Sequence, residues 1–92
     1  MSLFSRAKLI DESQLDAELT WYVKTILKEK DTLVPFYIRN IRSYDKPTMT
    51  AFLAGAKRWI KTATHLTKEE RQRMQNIIYT LDAKAGKLQQ IA

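Results

Sequence analysis

Apolar positions along the chain recur at the spacing of an α-helix in four successive segments, and strand-like alternation occurs in none of them. Leu15, Leu19, Tyr22, Val23, Ile26 and Leu27 make the first stripe. Leu33, Val34, Tyr37, Ile38 and Ile41, extended by Tyr44, make the second. Met49, Phe52, Leu53, Ala56, Ile60 and Ala63 make the third, with Trp59 at its rim. Met74, Ile77, Ile78, Leu81, Ala85 and Leu88 make the fourth. Each stripe needs a partner face to cover it, so the pattern predicts an all-α chain folded as an antiparallel four-helix bundle.

Local signals set the expected ends of these helices. Asp11 or Ser13 is placed to cap the first, and Asp11 with Gln14 has capping-box spacing. Lys30-Asp31-Thr32-Leu33-Val34-Pro35 stops one helix and starts the next. Thr32 or Asp31 is the expected cap, and Pro35 sits in a first turn where its missing N–H costs nothing. The second helix is expected over 32–43, with Phe36 at the edge of its stripe. Pro47 marks a break at Lys46, and the third helix is expected from about Thr48. Gly55 and Ala56 in that helix point to a close helix–helix approach. Thr67 and Glu70 have capping-box spacing just before the fourth stripe. Gly86 either ends that helix as its C′ residue or is tolerated within it. The expected layout is one domain over 1–92, with 1–10 as a flexible or short helical arm and 87–92 as a tail. Trp21 projects away from its stripe and is expected to find cover on the N-terminal segment.

Composition sharpens the function classes. With 92 residues there is room for one core. Only 2 Gly and 2 Pro suit long helices with short connections, and no cysteine is available for disulfides or thiolate metal sites. No apolar run is long enough to span a bilayer, and the first ten residues lack a signal-peptide core, so the expected location is cytoplasmic. The formal net charge of +6 is uneven. Residues 1–23 hold two basic and four acidic side chains, and the rest hold fourteen and six. A basic body fits nucleic acid, an anionic membrane face or an acidic protein, and it also fits a merely solvated surface.

Catalytic chemistry finds no foothold in the sequence. His65 is the sole histidine and sits in a predicted turn. Glu69 and Glu70 suit a helix N-terminus, and there is no Gly-rich phosphate loop or Gly-flanked serine elbow. The expectation is a non-enzyme without metal or cofactor. Arg39, Arg42, Lys57, Arg58 and Lys61 lie near Tyr44 and Trp59, a mixture of charge and rings that binds phosphates and bases in other proteins. A small basic nucleic-acid-binding or regulatory protein of a mobile element is therefore the alternative reading.

Two stretches carry a family resemblance. Asp31-Thr32-Leu33-Val34-Pro35-Phe36-Tyr37-Ile38-Arg39-Asn40-Ile41 resembles the second-helix start of the pediocin-like (class IIa) bacteriocin immunity proteins. That start has a Thr, a hydrophobic residue and a Pro before an aliphatic helix, sometimes with an Arg at the place of Arg39. Leu66-Thr67-Lys68-Glu69-Glu70, followed by Met74, Ile77, Ile78 and Leu81, is similar to the family's last helix. The resemblance covers about Gln14 to Lys84. It implies a protein that protects a producer cell from its own pore-forming peptide without enzymology. Its implied partner is the cytoplasmic side of the bacteriocin receptor, the membrane components of the mannose phosphotransferase system with bound bacteriocin. Location would be cytoplasmic and peripheral at the inner face of the cell membrane, where Lys and Arg favour anionic lipid. Charge and position, rather than any family motif, mark Arg73, Tyr79, Lys84, Lys87 and Ile91 as the candidate partner-binding face, with Arg73, Lys84 and Lys87 pointing outward together.

Overall fold

A computed structural model describes residues 7–91, with side chains described through Gly86. Four helices run in order: α1 Glu12–Trp21, α2 Val34–Ser43, α3 Lys46–Thr62 and α4 Lys68–Ile91. No strand occurs among the described residues. The radius of gyration is 13.0 Å, close to the roughly 12 Å of a folded chain this long.

The four predicted stripes meet in one core. Leu15, Leu19, Val23, Ile41, Leu53, Ile60, Met74, Ile78 and Leu81 are almost wholly buried. Phe52 closes one side, edge-on to Tyr22 at 6.3 Å and to Tyr44 at 5.7 Å between ring centroids. The α3–α4 contact is the most extensive between any two helices.

The first two stripes depart from expectation at their meeting point. Beyond Trp21 the chain widens into a π-helical turn over Tyr22–Ile26, where the Leu27 N–H reaches back to the Tyr22 carbonyl at 3.1 Å. The extra residue in that turn shifts the residues after it off the α phase. Leu27 is therefore 40% exposed instead of buried. Lys28 then takes a left-handed φ of 57°, and the Glu29 N–H closes the end on the Val23 carbonyl at 3.1 Å. A 3₁₀ turn, Asp31–Leu33, leads into α2 and leaves Leu33 and Phe36 exposed. No side chain caps this start, contrary to the role expected of Thr32 or Asp31. Asp31 pairs instead with Lys24 at 3.3 Å.

Other caps separate in the same way. Asp11 precedes α1 but uses its backbone carbonyl, not its carboxylate, to accept from Gln14 N–H. Asp45 accepts from Thr48 N–H at 2.9 Å, so α3 begins at Lys46, two residues before the expected start, with Pro47 inside its first turn. The Thr67–Glu70 box forms in both directions: Glu70 N–H to Thr67 Oγ1 at 3.0 Å and Thr67 N–H to Glu70 Oε1 at 2.9 Å. A Cβ on Gly55 would meet only the end of the Arg58 side chain at 4.0 Å, so no close helix approach explains that glycine. The α4 backbone passes through Gly86 and continues to Ile91, which places Gly86 inside the helix and replaces the expected tail from 87 with helix.

Of the N-terminal arm, residues 1–6 lie outside the described residues, and residues 7–11 are not helical. These five lie along α4, with Lys8 N–H donating to Asn76 Oδ1 and Ile10 N–H to Thr80 Oγ1, each at 2.9 Å.

Candidate functional site

The face expected to bind a partner belongs to α4, so the neighbours of α4 decide what is free to bind. Arg71 turns back toward α3: its guanidinium donates to the Ile60 carbonyl and, at 2.6 Å, to the Ala63 carbonyl. It thereby satisfies carbonyls at a helix C-terminus with a positive charge.

Arg73 does not point outward alone. Its Nε and Nη2 donate to Glu18 Oε1 and Oε2 at 2.9 and 2.8 Å, and its guanidinium lies 4.5 Å from the centre of the Trp21 ring. The bidentate carboxylate raises the Arg73 pKa further. Trp21 thus finds a cation over its face where the N-terminal segment was expected.

Lys84 is also engaged, three turns along the same face. Its Nζ lies 2.6 Å from Glu12 Oε2, and Glu12 Oε1 accepts from Arg42 at the end of α2. Arg42 reaches Asp16 as well, at 3.3 Å. Lys84 first and Arg42 second push the Glu12 carboxyl down to about 2. Two of the five candidate residues therefore fasten α4 to α1 through ion pairs, with their side chains still partly exposed on that face.

Tyr79 stands apart from them. Its side chain is 42% exposed on the α3 side of α4. It lines a cleft with Lys57, Ile78 and Asp82, across which Lys57 Nζ and Asp82 Oδ2 lie 3.4 Å apart. The side chains of Lys87 and Ile91 lie outside the described residues.

Two of the five basic residues read as a nucleic-acid surface are occupied as well. Arg42 serves Glu12 and Asp16, and Lys57 serves Asp82. Tyr44 and Trp59 are half-buried against the core, and Trp59 is edge-on to the exposed His65 at 6.0 Å. Arg39, Arg58 and Lys61 remain exposed, on two different helices. Among the described residues, no three His, Cys, Asp or Glu side chains are grouped to hold a metal ion, and no helix is long and apolar enough to cross a membrane.

Periodicity missed one exposed group: Leu27, Leu33 and Phe36, around the connection from α1 to α2. Leu27 and Leu33 belong to predicted stripes and come out at the π turn and the 3₁₀ turn, whereas Phe36 lies at the edge of its stripe in α2 and stays uncovered there. Phe36 and Arg39 at i and i+3 were the one legible sign, since that spacing seats the guanidinium 5.7 Å from the ring centre.

Compared with known proteins, the chain matches no family model, no curated protein and no solved structure.

Proposed function

We propose that this chain is an antiparallel four-helix bundle acting as a bacteriocin immunity protein of the pediocin-like type, by binding rather than by a reaction. The observation that carries the reading is that both stretches resembling that family open real helices. Pro35 falls in the first turn of α2, and Thr67 and Glu70 form the reciprocal box that starts α4. The antiparallel order is supported by ion pairs in which rising numbers on one helix meet falling numbers on the other. Glu12 and Glu18 of α1 pair with Lys84 and Arg73 of α4, and Arg42 at the end of α2 reaches the start of α1.

In this reading the protein works in the cytoplasm, at the inner face of the membrane. Its partner is the mannose phosphotransferase receptor with bacteriocin bound. The recognition face is carried by α4, with Tyr79 as its exposed aromatic contact. Arg73 and Lys84 hold α1 and take part only through what they leave exposed.

Expression in a sensitive Gram-positive cell tests this. Tolerance to one or a few class IIa bacteriocins rises, and Tyr79→Ala lowers the protection while leaving thermal unfolding unchanged. Absence of protection across a panel, together with submicromolar DNA binding that survives physiological salt, overturns the proposal in favour of nucleic-acid binding.

A further inference from the structure

The connection from α1 to α2 leaves three large apolar side chains in water: Leu27 and Leu33 at 40% exposure and Phe36 at 56%. They belong to one end of the chain's first hairpin. Leu33 and Phe36 are one helical turn apart, and the Lys24–Asp31 pair joins the two limbs of the connection just beside them.

The charges around these residues are sorted. Both acidic side chains of the stretch are engaged: Glu29 accepts from the Tyr37 hydroxyl at 2.8 Å, and Asp31 pairs with Lys24. Lys28, Lys30 and Arg39 are exposed, and among the described residues none of them meets a carboxylate. Lys28 holds its side chain on a left-handed backbone, a place where glycine is less strained and would present no charge. Three apolar side chains flanked by three cations without carboxylate partners, one of them over the Phe36 ring, complement one kind of surface: an apolar layer beneath an anionic one.

We infer that this hairpin end docks on an anionic lipid bilayer, with Phe36, Leu33 and Leu27 entering the interface and Lys28, Lys30 and Arg39 meeting lipid phosphates. Long basic stems suit this arrangement, because they lie along apolar surface while their charges stay at headgroup level. A basic residue near such a surface is worth about fivefold in partitioning, and burying a phenylalanine about tenfold or more. The inference rests on the immunity reading for its place at the membrane and adds the surface that makes the contact, and lipid contact itself needs neither bacteriocin nor receptor.

Co-sedimentation of the full chain with large unilamellar vesicles tests it. Vesicles of phosphatidylcholine mixed with phosphatidylglycerol bind the protein at least tenfold more tightly than phosphatidylcholine alone. Phe36→Ser weakens binding about tenfold, and Lys28→Gln with Lys30→Gln weakens it by a further factor of about twenty. All three positions are already exposed, so circular dichroism keeps its helical signal. Arg58→Gln with Lys61→Gln, exposed on α3, is the control and changes binding less than twofold. Equal binding to both kinds of vesicle overturns the inference. So does a control pair that matters more than the hairpin pair. Full binding by Phe36→Ser removes the insertion, and no binding to either vesicle overturns the inference outright. Protection from bacteriocin by a wild-type chain that does not bind the anionic vesicles would overturn this inference alone, and vesicle binding without protection would overturn the immunity reading alone.

Discussion

At the scale of single residues, the sharpest consequences come from Glu12 and Thr67. Glu12 is held by Lys84 and Arg42, with its carboxyl near 2 instead of the ordinary 4.5. A carboxyl depressed by folding adds stability that is complete above 4.5 and is lost as pH falls from 4.5 toward 2. Wild type should therefore lose urea resistance across that window faster than Glu12→Gln, and the two curves should converge at its acid end. Thr67→Ala removes the acceptor for Glu70 N–H and should cost about 1 kcal/mol in denaturant unfolding. Leu53 and Ile78 are 2% and 1% exposed, so truncating either to alanine should cost about 2–5 kcal/mol. Arg73 answers to two partners. Arg73→Glu sets a carboxylate against Glu18 and withdraws the cation from Trp21, and it should lower the melting temperature as well as any binding.

At the scale of helices, stripes were legible and phase was not. Leu15, Leu19, Val23, Ile41, Leu53, Ile60, Ile78 and Leu81 all point inward as their periodicity predicts, because burying apolar side chains dominates the choice of face. Leu27 and Leu33 broke the rule because nothing in the local sequence marks the π turn before Leu27 or the 3₁₀ turn that holds Leu33. Capping was legible where geometry is local and complete, as at Thr67, and illegible at Asp31, whose carboxylate found a distant lysine. The candidate site fared worst. Charge and outward spacing identify polar positions on α4, but they say nothing of Glu18 and Glu12 arriving from another helix. Gly86 has open space around a Cβ and lies in a helix, so Gly86→Ala should add up to about 1 kcal/mol. Lys28→Gly should relieve a left-handed backbone, raise stability by about 1 kcal/mol and weaken vesicle binding. Opposite signs in one variant would mark Lys28 as kept for contact rather than for folding.

At the scale of the whole molecule, α4 is the element to which distant parts of the chain are fastened. The N-terminal segment holds it through Asn76 and Thr80, α1 through Arg73 and Lys84, and α3 through Arg71 and Asp82. Fastening of this kind bears on the order of folding. Glu18 and Arg73 are 55 residues apart, Lys8 and Asn76 are 68 apart, and Ile10 and Thr80 are 70 apart. Such closures are entropically slow beside the short turn joining α3 to α4. α1 can pair early with α2, through Arg42 on Glu12 and Asp16, but its contacts with α4 form only once the long loop has closed. In stopped-flow refolding, Ile60→Ala should slow folding, while Leu15→Ala should mainly speed unfolding, because its partner helix docks after the barrier. Until that closure, the faces of α1 and α4 that meet in the fold stand open to water, and it is in this interval that a chaperone would find the chain.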